Sequence, residues 1–272
     1  MPLVPIATQS NLDHATFKVY SEGQELPPSV GVAMIAIRKA VNKIPMAKLV
    51  LFDGDISTGE FQWSEGDLFK PGVKLKIDAG YDNREETIFE GIIIKHGLEI
   101  YTDKASRLIL ELRDPVIKMT VGRKNKYFFE SSDSDVMEEL IGKYSGLEAE
   151  VESTSLSHAE IVQYHATDWD FILSRADANG QIATTEAGKV TIQKPQTSAD
   201  PIIELQYGDN VVEFEAEMDA RQQYAATTGF SWDFIKQEVA EKEGANPSMD
   251  FQGDISGDDL AAVIGLESFQ MQ

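Results

Sequence analysis

The chain has no cysteine among its 272 residues. Disulfides and cysteine-held zinc are therefore excluded. Histidine is scarce too, with four residues: His14, His96, His158 and His165. None sits in an H-E-x-x-H pair. His158-Ala159-Glu160 matches half of a zinc deaminase signature, and the cysteine half cannot exist. The four histidines read as structural or exposed. No window approaches 18 uninterrupted apolar residues, so no transmembrane helix and no stable membrane insertion are expected. The start, Met1-Pro2-Leu3-Val4-Pro5, lacks the basic region and apolar run of a signal peptide. G-x-S-x-G, Walker A and dinucleotide-binding patterns are absent from the sequence. Basic residues number 24 against 46 acidic ones, a net charge of −22. That balance argues against nucleic acid as a specific ligand, and aromatic residues are not interleaved with a basic patch. It favours solubility, basic partners, or a wall that repels polyanions.

Hydrophobic residues supply 42% of the chain, enough for more than one core. Residues 1 to about 14 read as an irregular arm. Strand patterns follow at Thr16–Tyr20, Val30–Lys39, Ala47–Phe52, Val73–Ala79, Glu86–Tyr101, Arg107–Leu112 and Val116–Val121. In the second of these, Val30, Val32, Met34, Ala36 and Arg38 share one face. Pro71-Gly72 marks a turn, and Gly91 and Gly97 inside the long fifth pattern mark bends. Short strands with frequent turns predict an antiparallel barrel, closed or nearly so, over 1–121.

The period changes near residue 122. Ser132–Tyr144 is helical, with Val136, Met137, Leu140, Ile141 and Tyr144 on one face. Ser132-x-x-Asp135 resembles a capping box, and Gly146 is a stop. Thr167-x-x-Asp170 repeats the box before a second helix, Asp168–Asn179. Its stripe is Trp169, Ile172, Leu173 and Ala176, and Gly180 ends it. Gln181–Lys194 reads as a hairpin around Glu186-Ala187-Gly188. Residues 122–200 are thus a small α+β insert. Strand patterns resume at Ile202–Tyr207, Val211–Met218 and Gln222–Trp232, as if a second barrel began over 201–272. Glu238–Asp254 reads as a loop, and Ser256-x-x-Asp259 caps a short helix through Ile264. Leu266–Gln272 resembles the start of another strand, which suggests an N-terminal portion of a longer polypeptide.

Asp53, Asp55, Ser57 and Glu60 crowd one turn. An EF-hand needs Gly at the sixth position and Glu at the twelfth, where Thr58 and Ser64 stand, so an acidic hairpin turn is expected. Trp63 and Trp232 flank turns and read as barrel plugs. With 46 acids, any chosen carboxylate pair carries no information about hydrolysis. No catalytic, cofactor-binding or metal-binding residue is assigned.

Three stretches together resemble a known family. The first is Asn42-Lys43-Ile44-Pro45-Met46-Ala47-Lys48-Leu49-Val50-Leu51-Phe52-Asp53-Gly54-Asp55, with Phe69-Lys70-Pro71-Gly72 and Ile88-Phe89-Glu90-Gly91-Ile92 beyond it. The second is Gln163-Tyr164-His165-Ala166-Thr167-Asp168-Trp169-Asp170-Phe171-Ile172, continuing through Arg175 to Asn179-Gly180. The third is Tyr207-Gly208-Asp209-Asn210 with Phe214-Glu215-Ala216-Glu217. The chain resembles, over almost its whole length, the VgrG spike proteins of type VI secretion and the late-control baseplate hub proteins of contractile phages. The Asn-Lys-Ile-Pro form looks most like the spike protein of extracellular contractile injection systems.

The resemblance implies a mainly β fold with an α+β insert. Two barrel-like, tube-type domains in one chain would form a pseudo-sixfold trimeric ring. It implies a structural, non-enzymatic hub without cofactor, adapting a threefold spike to a sixfold inner tube. Its partners would be two further copies, the hexameric tube protein, baseplate proteins, and a spike tip or cargo. Such a protein would assemble in the cytoplasm and end in a phage-tail-like particle. The OB-fold and β-helical needle of complete family members are not in the sequence. Expected structural residues are Pro71 and Gly72 at a barrel turn, Gly91 and Gly97 where a strand bends, Trp169, Phe171 and Arg175 pinning the insert, and Gly180 ending its second helix. The acidic charge is expected to line the lumen of the ring. Alternatives are a phage baseplate hub, a peptidoglycan-cleaving spike domain, and a carbohydrate-binding barrel with Trp63 as platform.

Overall fold

The computed structural model describes residues 15–271 apart from 56, 82–83, 197, 199, 202, 222, 235, 245–254 and 266–268. The expected arm, 1–14, and His14 lie outside the described residues. The chain is mainly β and divides into two compact units, Gln9–Pro195 and Gln196–Gln272.

The first unit opens with β1 (Ala15–Ser21), β2 (Gln24–Glu25), β3 (Val32–Ala40), β4 (Lys43–Phe52), the short α1 (Gln62–Glu65), β5 (Lys74–Tyr81), β6 (Arg84–Glu99) and β7 (Arg107–Arg113). Its seven strands form one antiparallel sheet in the order β2-β1-β5-β6-β7-β4-β3. Val19 near one end of that order and Ile35 and Ile37 at the other share a single core with Leu49, Leu51, Leu75, Ile77, Leu108 and Leu110. Strands from both ends can reach one core only if the sheet curls, which makes it barrel-like.

Period-2 alternation places most of these residues. In β7, Leu108, Leu110 and Leu112 are fully buried and the residues between them are half-buried. The alternation expected for Val30–Lys39 fails at a bulge. The register with β4 shifts between Val32 and Met34, so Val32, Ile35 and Ile37 face the core and Met34, Ala36 and Arg38 face out.

The segment Val116–Val121 is not a strand. It forms a 3₁₀ turn over Pro115–Thr120. Asp114 caps this turn by accepting from the Val116 amide, and Pro115 occupies the first helical position, where its missing N–H costs nothing. Val116 and Met119, three residues apart, enter a second core.

That second core belongs to β8 (Lys124–Ser132), α2 (Asp133–Gly142), β9 (Glu148–Val151), β10 (Ser157–Ala166), α3 (Asp168–Ala178), β11 (Ile182–Glu186) and β12 (Lys189–Gln193). β8 and β10 pair antiparallel as a two-stranded sheet. The other sheet is β11-β12-β9, in which β12 and β9 run parallel. Val136, Met137, Leu140 and Ile141 of α2 are buried as their helical spacing requires, whereas Tyr144 is only partly buried. At the β11–β12 hairpin, Ala187 and Gly188 both have positive φ, the requirement of a tight two-residue turn.

The second unit contains β13 (Thr227–Asp233), β14 (Glu238–Glu243), α4 (Gly257–Ile264) and β15 (Phe269–Met271). Its sheet has the order β14-β13-β15. Two expectations are corrected here. The described residues of Ile202–Tyr207 and Val211–Met218 form no strand beyond one isolated bridge, Tyr207 to Val211. The loop expected over Glu238–Asp254 begins as β14, which pairs with β13 from Asp233–Glu238 to Thr228–Glu243. Its run of charge hid it, because an edge strand exposed on both faces needs no apolar alternation. Ser256 and Asp259 form a capping box on α4, and Gly265 closes that helix in the left-handed conformation.

Candidate functional site

Both helices of the second core start with a buried aspartate. Asp133 is the first residue of α2 and Asp168 the first of α3, one position inside their caps Ser132 and Thr167. A carboxylate there faces the unpaired amides and positive end of its helix.

Asp133 gathers three groups. Arg175 Nε donates to Oδ1 at 2.5 Å, Asn179 Nδ2 donates to Oδ2 at 2.8 Å, and His158 Nε2 lies 3.2 Å from Oδ2. Burial pushes its pKa up. The hydrogen bonds from Arg175 and Asn179 and the Arg175 charge outweigh that and hold the carboxyl below the ordinary aspartate range.

Asp168 has a fully buried side chain. Lys124 Nζ donates at 2.5 Å and Tyr144 OH at 2.6 Å to Oδ2, and Gln163 Nε2 donates at 2.8 Å to Oδ1. Burial again raises the pKa, and bonds from Gln163, Lys124 and Tyr144 bring it below the ordinary value. Each carboxylate is spent on holding elements together: Asp133 ties α2 to α3 and β10, and Asp168 ties α3 to β8, β10 and Tyr144 just after α2. Asp114 differs, since its partners are the Val116 and Gly188 amides, and burial raises its pKa.

The residues singled out in the sequence fall in three places. Lys70-Pro71-Gly72-Val73 is a turn closed by Val73 N donating to Lys70 O, with Gly72 at φ +97°. Proline second and a positive-φ glycine third is the type II arrangement. Gly91 lies where β6 passes β7: an added Cβ would stand 2.5 Å from Arg113 O and 2.7 Å from the Phe89 ring. Gly97 sits in regular register opposite Ile109, and an added Cβ would come no closer than 3.8 Å to Ile109 O. The register shifts of β6 fall instead beside Ile88 and Ile94.

Trp169 and Phe171 both enter the second core, and Phe171 stacks on Phe128 with centroids 6.2 Å apart. Arg175 reaches Asp133, and Gly180 follows α3 at φ +64°. Trp63 packs partly buried on the first core, but Trp232 is 51% exposed and plugs nothing.

The acidic turn is a hairpin turn closed by the Asp55–Glu60 bridge. Asp53 there accepts from the amides of Gly54, Trp63 and Ser64, thereby seating α1. Among the described residues no group of three or more metal-ligating side chains is found. No helix among them is long and apolar enough to cross a membrane.

Two features escaped the sequence reading. One is the β8–β10 pair, whose outer face carries Tyr127, Phe129, Val162 and Tyr164, all exposed, with Tyr127 and Phe129 stacked at 6.4 Å. The alternation Lys124, Lys126, Phe128 against Tyr127, Phe129 was the available signal. The other is charge placement. Residues 196–272 hold 16 acidic and 3 basic side chains, thirteen of the 22 net negative charges.

Solved structures share this fold. The chain superposes on a tail protein from Neisseria meningitidis MC58 with a TM-score of 0.63 and 12% identity, covering 95% of this chain and 72% of that one. The 43 kDa tail protein of prophage MuSo2 from Shewanella oneidensis gives a TM-score of 0.60 at 14% identity, covering 93% and 77%. A Francisella PdpA-VgrG complex gives 0.52 at 8% identity, covering 96% of this chain and 44% of that one. The fold is therefore that of phage tail and VgrG-like proteins. No curated protein matches the sequence. A family model described as the Alg8 N-terminal domain matches residues 11–272, and the chain belongs to that family.

Proposed function

We propose that the chain is a structural hub at the base of a spike in a contractile injection system. Three copies form a ring that seats on a hexameric inner tube. The spike stands above the ring and baseplate proteins surround it. The role is mechanical rather than catalytic, and no cofactor takes part. The observation that supports this is the tail-protein and VgrG-like fold extending over more than nine tenths of the chain. The concentrated acidity of residues 196–272 suits a lumen that repels polyanionic cargo or a seat for a basic partner.

A second reading is the baseplate hub of a contractile-tailed phage. Its specific support is the likeness to prophage tail proteins from Shewanella oneidensis and Listeria monocytogenes. The first test is the solution mass by light scattering after size exclusion. Three times the chain mass is expected, and a monomer at every concentration overturns the ring.

A further inference from the structure

Val211–Met218 has the most regular alternation in the second unit. Val212, Phe214, Ala216 and Met218 share one side of an extended chain, and Glu213, Glu215 and Glu217 the other. Such a pattern belongs to a strand with one face on apolar neighbours. Yet Val212 is fully exposed, Phe214 is 75% exposed, and 213–220 has no strand partner among the described residues. The sequence asks for a sheet that the described residues of the single chain do not provide.

The first unit offers the matching half. β8 pairs with β10 on one side and with no strand on the other among the described residues. Two-stranded sheets are marginal unless something covers them, and here α2 and α3 cover one face only. The uncovered face carries Tyr127, Phe129, Val162 and Tyr164.

Charge distinguishes the helix-side face of β8. Lys124 and Lys126 stand there with Lys143 of the neighbouring helix end. These three lysines meet two carboxylates: Lys124 pairs with Asp168, and Lys126 and Lys143 share Glu139. Burial first, and then the Lys126 charge, hold the Lys143 pKa below the ordinary lysine value. A strand laid along β8 with its apolar side continuing the Tyr127–Phe129 face brings Glu213, Glu215 and Glu217 beside these lysines. Both alternations then match at once.

We propose that Val211–Met218 of one copy adds as a strand to the free edge of β8 in a neighbouring copy. This rests on the ring of copies proposed above. The contact joins two different surfaces, so it is head-to-tail, the type that closes into rings. Main-chain hydrogen bonds would hold it, and the aromatic face and the lysines would set its register.

The absence of cysteine permits a direct test. Tyr127→Cys is purified separately from Val212→Cys, Phe214→Cys and Ala216→Cys, which sample three registers. Each pair is mixed, re-equilibrated and oxidised. A heterodimeric crosslink in one mixture, well above either variant alone, is expected, and only contact between chains can form it. Hydrogen exchange of the unmodified chain guards against misfolded variants. Amides of 124–130 and 211–218 should exchange at least about tenfold more slowly in the oligomer than in dilute monomer. A chain of trimeric mass with neither crosslink nor added protection overturns this contact and leaves the ring standing. A monomer at every concentration overturns both.

Discussion

Arg175 Nε donates to Asp133 Oδ1 at 2.5 Å across 42 residues of sequence, closing the last turn of α3 onto the first residue of α2. The Asp133 side chain is 4% exposed. Removing the guanidinium leaves a buried carboxylate with Asn179 and His158 alone. Arg175→Ala should therefore cost about 3 kcal/mol, the scale of breaking a buried pair from one side. Arg175→Lys should lose less, because the charge remains and only the planar donor geometry is lost. Urea unfolding curves of the three proteins measure this order. Equal stability of wild type and Arg175→Ala would show that Asp133 is satisfied by its other partners.

Asp133 and Asp168 make the same structure sensitive to acid. Both have pKa values below the ordinary aspartate value in the folded chain. The folded state thus binds these two protons less readily than the unfolded chain does. Their contribution is fully present above the unfolded pKa, about 4, and is lost as pH falls through the lowered folded values. Asp114 acts in the opposite sense, since its raised pKa favours protonation in the folded state. Melting temperatures measured from pH 6 down to pH 2.5 should fall most steeply below about pH 4. In Asp168→Asn the fall should be shallower, starting from a lower plateau. An unchanged slope in that variant would remove Asp168 from the explanation.

The helices were legible because local chemistry repeats there: Ser132 with Asp135 and Thr167 with Asp170 announce caps, and apolar residues three and four apart announce faces. The curled sheet was legible through alternation in β5 and β7. What failed was set by distant partners. β10 has only Ile161 and Gln163 buried between exposed residues, so its pattern is polar until β8 is placed beside it. The apolar spacing of Val116–Val121 suggests a strand, although Asp114 and Pro115 before it make the cap and first residue of a 3₁₀ turn. The aspartates at the starts of α2 and α3 were visible, but their burial depends on Arg175 and Lys124, 42 and 44 residues away.

Two glycines in β6 give opposite expectations. At Gly91 an added methyl meets the Arg113 carbonyl and the Phe89 ring well inside contact distance, and backbone cannot rotate aside. Gly91→Ala should cost about 1–3 kcal/mol, as overpacking does. At Gly97 the same methyl meets nothing nearer than 3.8 Å. Gly97→Ala should be neutral or stabilise by up to about 1 kcal/mol through lost freedom in the unfolded chain. Thermal or urea unfolding of the pair measures the difference. If Gly97→Ala is as harmful as Gly91→Ala, the outer surface at Gly97 is occupied in solution.

The tryptophans separate the two kinds of surface this chain carries. Trp169 is 5% exposed and belongs to the second core, together with Val136, Leu140 and Ile172. Truncating it removes a large apolar volume and leaves a cavity that rigid neighbours cannot fill. Trp169→Ala should cost about 3–5 kcal/mol. Trp232, half exposed on β13, loses far less on truncation, within about 1 kcal/mol. Emission spectra give an independent reading, because an indole sheltered from water emits at shorter wavelength than one facing it. Trp169→Ala should remove blue-shifted intensity, and Trp232→Ala should remove red-shifted intensity. If assembly at high concentration shifts the Trp232 emission to the blue, the exposed face of β13 is covered in the oligomer and its exposure in the single chain marks an interface. An emission from Trp232 that stays red at every concentration keeps β13 facing solvent and restricts the contacts between copies to other surfaces.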